Sequence, residues 1–176
     1  MFSFFEKTVQ IYNISLLQYS NRTWIYHIVT DTWRSGPSLN TGRKNHACIT
    51  IKDNDEKITS VLISGGYDNA YKTHGYLKST EILENIEGFW KFGPDLIMGS
   101  SEATLIDTFS TTHIALLMGG YVSWGSIDDA SKWKASSAIF GLNRLSNQWE
   151  RLGNLTEKRN MATAVHVSFD FMKGCN

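Results

Sequence analysis

The chain has 176 residues, room for one domain or a fragment of a larger one, and its 41% hydrophobic content excludes a wholly disordered protein. Only 19% of residues are charged, below the roughly 25% of an average globular protein, while aromatics reach 12% and prolines number 2, a mixture that leans toward sheet. Lys plus Arg and Asp plus Glu number 17 each, so no net field gathers nucleic acid, acidic lipid or a charged substrate from a distance, and any binding is local.

The opening Met1-Phe2-Ser3-Phe4-Phe5 is broken at once by Glu6 and Lys7, short of the ~7 to 15 apolar residues of a secretory signal. The longest apolar run, Ile114 to Met118, is far below the ~18 residues that span a bilayer. A soluble protein is expected, with the cytoplasm favoured. Cys48 and Cys175 lack the spacing of a metal or redox motif and read as free thiols. Sequons at Asn13, Asn21 and Asn154 carry little weight, since about two would arise by chance in a chain so rich in Asn, Ser and Thr.

In chain order, Thr8 to Leu17 is a weak strand candidate, and Thr23 to Val29 alternates with period two ahead of Trp33. Asn45 to Ile51 (strand a) and Ile58 to Ser64 (strand b) follow, the second an apolar run closed by Gly65-Gly66-Tyr67. After a long connection from Asp68 to Lys78, strand c covers Ser79 to Leu83 and strand d carries Trp90. The order then repeats: Glu102 to Phe109, His113 to Met118 closed by Gly119-Gly120-Tyr121, a connection from Val122 to Ala135, Ser136 to Phe140, and Trp149. Met161 to Phe169 reads as one more strand a. Helical spacing is absent.

The repetition is in register. Trp33, Trp90 and Trp149 lie 57 and 59 residues apart, with Leu39, Leu96 and Leu155 six positions on and Arg43, Ser100 and Arg159 ten positions on. An apolar strand ending in a glycine pair (Gly65, Gly66 and Gly119, Gly120), an aromatic directly after, and a tryptophan downstream resemble the kelch repeat, whose period is about fifty residues. The likeness covers roughly Thr23 to Asn176. It implies an all-β chain: a fragment of a β-propeller with about three four-stranded antiparallel blades, open rather than closed. The expected divisions are a partial first blade over 1–42, a second over 43–98, a third over 99–156 and the start of a fourth over 157–176.

Packing accounts for Trp33, Trp90 and Trp149, and tight turns account for the glycine pairs. No nucleotide-binding or hydrolase motif occurs. His27, His46, His74, His113 and His166 are scattered with no partner at ligand or triad spacing, and Asp128-Asp129 reads as a solvated turn. No cofactor and no metal is expected.

The loops say more. In an antiparallel four-stranded unit the b-to-c and d-to-a connections emerge at one end. Tyr71, Tyr76, Trp124 and Trp133 lie on the former and Arg43 on the latter, a composition suited to recognition. Folding back of Tyr76 and Trp133 to cap the sheets is the alternative. The kelch resemblance implies a non-catalytic protein-binding module, serving in substrate recognition or scaffolding. The rival it also admits is a piece of an enzyme similar to the galactose-oxidase-like copper oxidases or the sugar mutarotases. For copper, His46 with Cys48 is the local candidate, although Cys48 is expected to pack in a dry core. Three blades cannot close a ring, so the chain is expected to be a truncated product unstable alone, or a homodimer that completes a six-blade propeller.

Overall fold

The computed structural model describes residues 7–10, 19–53, 57–68, 75–108, 110–123 and 133–165. These form only strands: β1 (Lys7–Gln10), β2 (Trp24–His27), β3 (Thr32–Ser35), β4 (Ala47–Lys52), β5 (Ile58–Ser64), β6 (Tyr67–Asp68), β7 (Gly75–Tyr76), β8 (Thr80–Leu83), β9 (Lys91–Phe92), β10 (Ser100–Ser101), β11 (Thr104–Asp107), β12 (His113–Met118), β13 (Tyr121–Ser123), β14 (Trp133–Ala135), β15 (Ala138–Asn143) and β16 (Trp149–Asn154). Two sheets are four-stranded antiparallel meanders, β4-β5-β8-β9 and β11-β12-β15-β16, and β1-β2-β3 is a third, three-stranded sheet. The remaining strands form the hairpin β6-β7 and the small sheet β10-β13-β14. None of the sheets closes on itself.

The repeat seen in the sequence is a repeat of backbone contacts. Arg43, Ser100 and Arg159 each donate their N–H to the carbonyl of Ser20, Leu77 or Ser136. Leu39, Leu96 and Leu155 donate likewise to Asn21, Lys78 and Ser137. Asn45, Glu102 and Met161, at the same phase, all take positive φ, at 53°, 57° and 51°. Glu102 N–H bonds to the Asn45 carbonyl and Met161 N–H to the Glu102 carbonyl, so each repeat is tied to the next at this kink.

The middle sheet is apolar on both faces, which is why β5 reads as a continuous apolar run rather than an alternating one. Val61 and Ile63 on one face join Leu39, Leu83 and Trp90. Leu62 on the other joins Leu96, Leu105, Leu117, Phe140 and Trp149. One contact recurs across both junctions. The Trp90 indole N–H donates to the Pro37 carbonyl at 2.9 Å, and the Trp149 indole N–H donates to the Pro94 carbonyl at 3.1 Å. The same two carbonyls accept the hydroxyls of Thr23 and Thr80, at 2.7 and 2.9 Å. A large ring that also needs a polar partner is thereby both buried and satisfied. Trp33 departs from the expected packing: with 49% of its surface exposed, against 2% for Trp90 and 6% for Trp149, it lies against Tyr26 on the outward side of its hairpin.

Several boundaries differ from those expected. The third strand c is Ala138–Asn143 rather than Ser136 to Phe140. Leu117 pairs with Phe140 as Ile63 pairs with Glu81, so the c strands correspond at an offset of 59 residues and not 57. The weak strand candidate Thr8 to Leu17 overlaps β1, which pairs to β2 as a b strand pairs to c, and its residues 11–17 lie outside the described residues. Residues 161–165 are not strand, and the rest of the expected strand to Phe169 lies outside the described residues. The hairpins β6-β7 and β13-β14 are additional elements inside the b-to-c connections.

Candidate functional site

The end of the molecule at which the b-to-c and d-to-a connections meet is organised by the glycine pairs. Gly65, Gly66, Gly119 and Gly120 have φ of 63°, 101°, 68° and 81°, a region that L side chains rarely occupy. A Cβ on Gly66 would also lie 2.8 Å from the Lys44 carbonyl oxygen, and one on Gly120 would lie 2.7 Å from that of Ser101. Each b strand therefore turns hard against the link that enters its own sheet. The following residue is delivered to that link: Tyr67 and Lys44 exchange N–H···O bonds at 2.8 and 3.1 Å, and Tyr121 pairs with Ser101.

The outcome is an aromatic cluster. The Tyr67 ring lies 5.9 Å from that of Tyr19 and 5.7 Å, edge to face, from that of Tyr76. The Lys44 ammonium sits 5.0 Å from the Tyr19 centroid and 5.4 Å from the Tyr67 centroid, within the range of cation–π attraction. Burial, then the neighbouring Glu102, Tyr121 and Tyr67, push the Tyr76 phenol up to about 12, so it remains a hydrogen-bond donor throughout the neutral range. Burial raises Tyr67 as well, helped by Tyr19 and Asp68. Beside the rings, the Glu102 carboxylate accepts the amides of Asn45 and Asn160 at 3.1 and 2.9 Å, stitching three successive repeats. Tyr19, Lys44, Tyr67, Tyr76, Glu102 and Asn160 are half-buried and open on one side, while Asp68 is buried and Asn45 exposed.

Of the residues expected to bind a partner, Tyr76 belongs to this cluster. Arg43 does not face solvent: it has no exposed surface and donates to Glu81 at 2.6 Å, to Ser79 Oγ at 3.1 Å, and to the carbonyls of Gly65 and Ser79 at 2.7 and 3.0 Å. The expectation for Arg43 is corrected, because its side chain runs inward from the link instead of outward. The backbone of Trp133 is in β14, and its side chain, like Tyr71 and Trp124 entirely, lies outside the described residues. Tyr19, Lys44, Tyr67 and Glu102 are members of the cluster that the sequence does not single out for binding; for Tyr67 alone a signal exists, its place directly after a glycine pair.

The other expected chemistry finds no assembly. Cys48 lies opposite core Ile63 on edge strand β4, on the face away from Ile49 and Ile51; it keeps exposed surface, yet burial pushes its thiol up to about 12, so it stays protonated at neutral pH. His46 is pulled down to about 4 by burial and then by the Arg43 charge, so it is neutral at pH 7. The Asn143 amide, and after it His113 at 2.7 Å, hold the Glu150 carboxyl below its ordinary value. Among the described residues no three His, Cys, Asp or Glu side chains converge as a metal would require. Asp128, Asp129, His74 and His166 lie outside the described residues. No family model matches the chain, and neither does any curated protein.

Proposed function

We propose that the chain is a non-catalytic, kelch-type interaction module whose sheets are propeller blades and whose b-to-c and d-to-a end recognises another protein. The observation that carries this reading is the cluster of Tyr19, Lys44, Tyr67 and Tyr76, three aromatic rings and one cation held at a single end by backbone ties from two repeats. Tyrosine supplies large contact area with few rotatable bonds, which makes it an effective anchor at interfaces. The inward Arg43, Trp90 and Trp149 belong to the scaffold, and the fold family by analogy suggests the class of activity without fixing it.

The test is a pair of bait proteins offered to extracts of the native cell. One carries Lys44→Glu with Tyr67→Ser, and the other carries Arg34→Gln with Leu145→Ser, remote from the cluster. Partners retained by the second bait and lost by the first, with both baits melting like the parent, support the proposal. Equal retention by the two baits would overturn it.

A further inference from the structure

A cavity of about 320 Å³ opens in the third repeat, between the b-to-c connection at 134–138 and the d-to-a side at Arg151, Asn154 and Lys158. Its wall is one-sided in chemistry. Lys134, Arg151 and Lys158 bring three cationic side chains, all exposed, and among the described residues no carboxylate lines the cavity. Among the described residues none of the three makes an ion pair, whereas Arg34, Arg43 and Lys91 are matched to Glu87, Glu81 and Glu84. The remaining polar groups favour donation too. Arg151 donates to Asn154 Oδ1 at 2.8 Å, which turns the amide's N–H groups to other acceptors. The Ser136 hydroxyl already accepts the Ala138 N–H at 3.0 Å and has its own proton left to give.

Three cations with no ion pair among the described residues, and a set of spare donors around a small cavity, form a receptor for a multiply charged anion, in which a guanidinium supplies paired donors and the amines supply point charge. In a chain of zero net charge, such a cluster is the local attraction that a diffuse field cannot provide. We infer that this cavity binds a dianionic phosphoryl group carried on a side chain of the protein partner. The inference rests on the recognition end proposed above and adds the chemistry of what is recognised there. The middle repeat has no counterpart: Phe92, Asp95 and Gly99 stand where Arg151, Asn154 and Lys158 stand in the third.

The experiment is a backbone-amide NMR titration of the 176-residue chain with N-acetyl-O-phosphoserine amide, with inorganic phosphate, and with acetate as the monoanion, at fixed ionic strength. Shifts confined to 134–138 and 151–158, saturating at least tenfold more tightly for the two phosphates than for acetate, are expected. Affinity for the phosphoserine derivative should rise with pH as its second phosphate proton leaves near pH 6. Arg151→Gln with Lys158→Gln should abolish the saturable shifts, while Arg34→Gln leaves them. Shifts spread over all exposed lysines, or a double variant that titrates like the parent, would overturn the inference. The recognition end is scored separately: a partner that is captured equally after phosphatase treatment and by the double variant, yet lost with Lys44→Glu and Tyr67→Ser, removes the phosphoryl inference alone.

Discussion

Arg43 and Glu81 form an ion pair in which neither side chain has any exposed surface. Glu81 also accepts the backbone N–H groups of Asn40 and Thr41 and the Asn40 amide, at 2.7, 3.1 and 3.0 Å. The carboxylate thus fastens the link leaving the first sheet to the third strand of the second. At the next junction the corresponding positions are Ser100 and Phe140, and the Ser100 hydroxyl is buried without a partner among the described residues. The ion pair of one junction is thus replaced at the next by two uncharged side chains, in line with the small net contribution of a buried ion pair.

Removing one half of the pair leaves the other charge buried. Arg43→Ala should cost about 3 to 5 kcal/mol in urea unfolding. Arg43→Ser combined with Glu81→Phe, which copies the neighbouring junction, should recover about 2 kcal/mol of the summed single losses. Additive losses would show that the two residues act independently.

The tryptophans should separate in the same assay. Trp90→Ala and Trp149→Ala each delete a buried ring and should cost about 3 to 5 kcal/mol, whereas Trp33→Ala, half exposed, should cost about 1 kcal/mol. Trp90→Phe keeps most of the packing but loses the bond to Pro37, and a cost of about 1 kcal/mol beyond the lost area is expected for it. Equal losses at all three positions would mean that Trp33 is buried in solution.

His46 supplies a pH dependence. The folded protein holds it neutral down to about pH 4, while the unfolded chain takes up a proton near the ordinary value of about 6.5. Between those values the unfolded state binds the extra proton, so stability is complete above about 6.5 and falls as the pH drops, by about 3 kcal/mol at most. His46→Gln should remove that part of the slope between pH 6.5 and 4. An unchanged slope would assign the acid sensitivity to the carboxylates.

The strands at Ile58–Ser64 and His113–Met118 were legible to the residue, because an apolar run stopped by two glycines has few alternatives. The third strand c was misplaced by two positions. Its Ser-Ser-Ala-Ile-Phe resembles Ser-Thr-Glu-Ile-Leu at the shorter offset, but the ladder to β12, bulged between His113 and Ala115, fixes the longer one. The Arg43–Glu81 pair leaves a trace at either offset, since Glu81 corresponds to Ala138 at the shorter one and to Phe140 at the longer one while Arg43 becomes Ser100. Both members change together, and a correlated change is a signal of contact. Strands of two and three residues such as β6, β7 and β13 have too little periodicity to be read, and the depth of Arg43 follows from the direction of a side chain, which its position on a link does not encode.

Amide hydrogen exchange on the chain bound to a captured partner tests the central claim most directly. The account predicts new protection at 43–46, 67–68, 75–77, 100–102, 121–122 and 134–138, where the glycine-pair turns and their links converge. The turns at 28–31, 85–88 and 144–147, at the opposite end of the sheets, should exchange as in the free chain. Protection confined to those three turns, with Lys44, Tyr67 and Tyr76 exchanging freely, would contradict it.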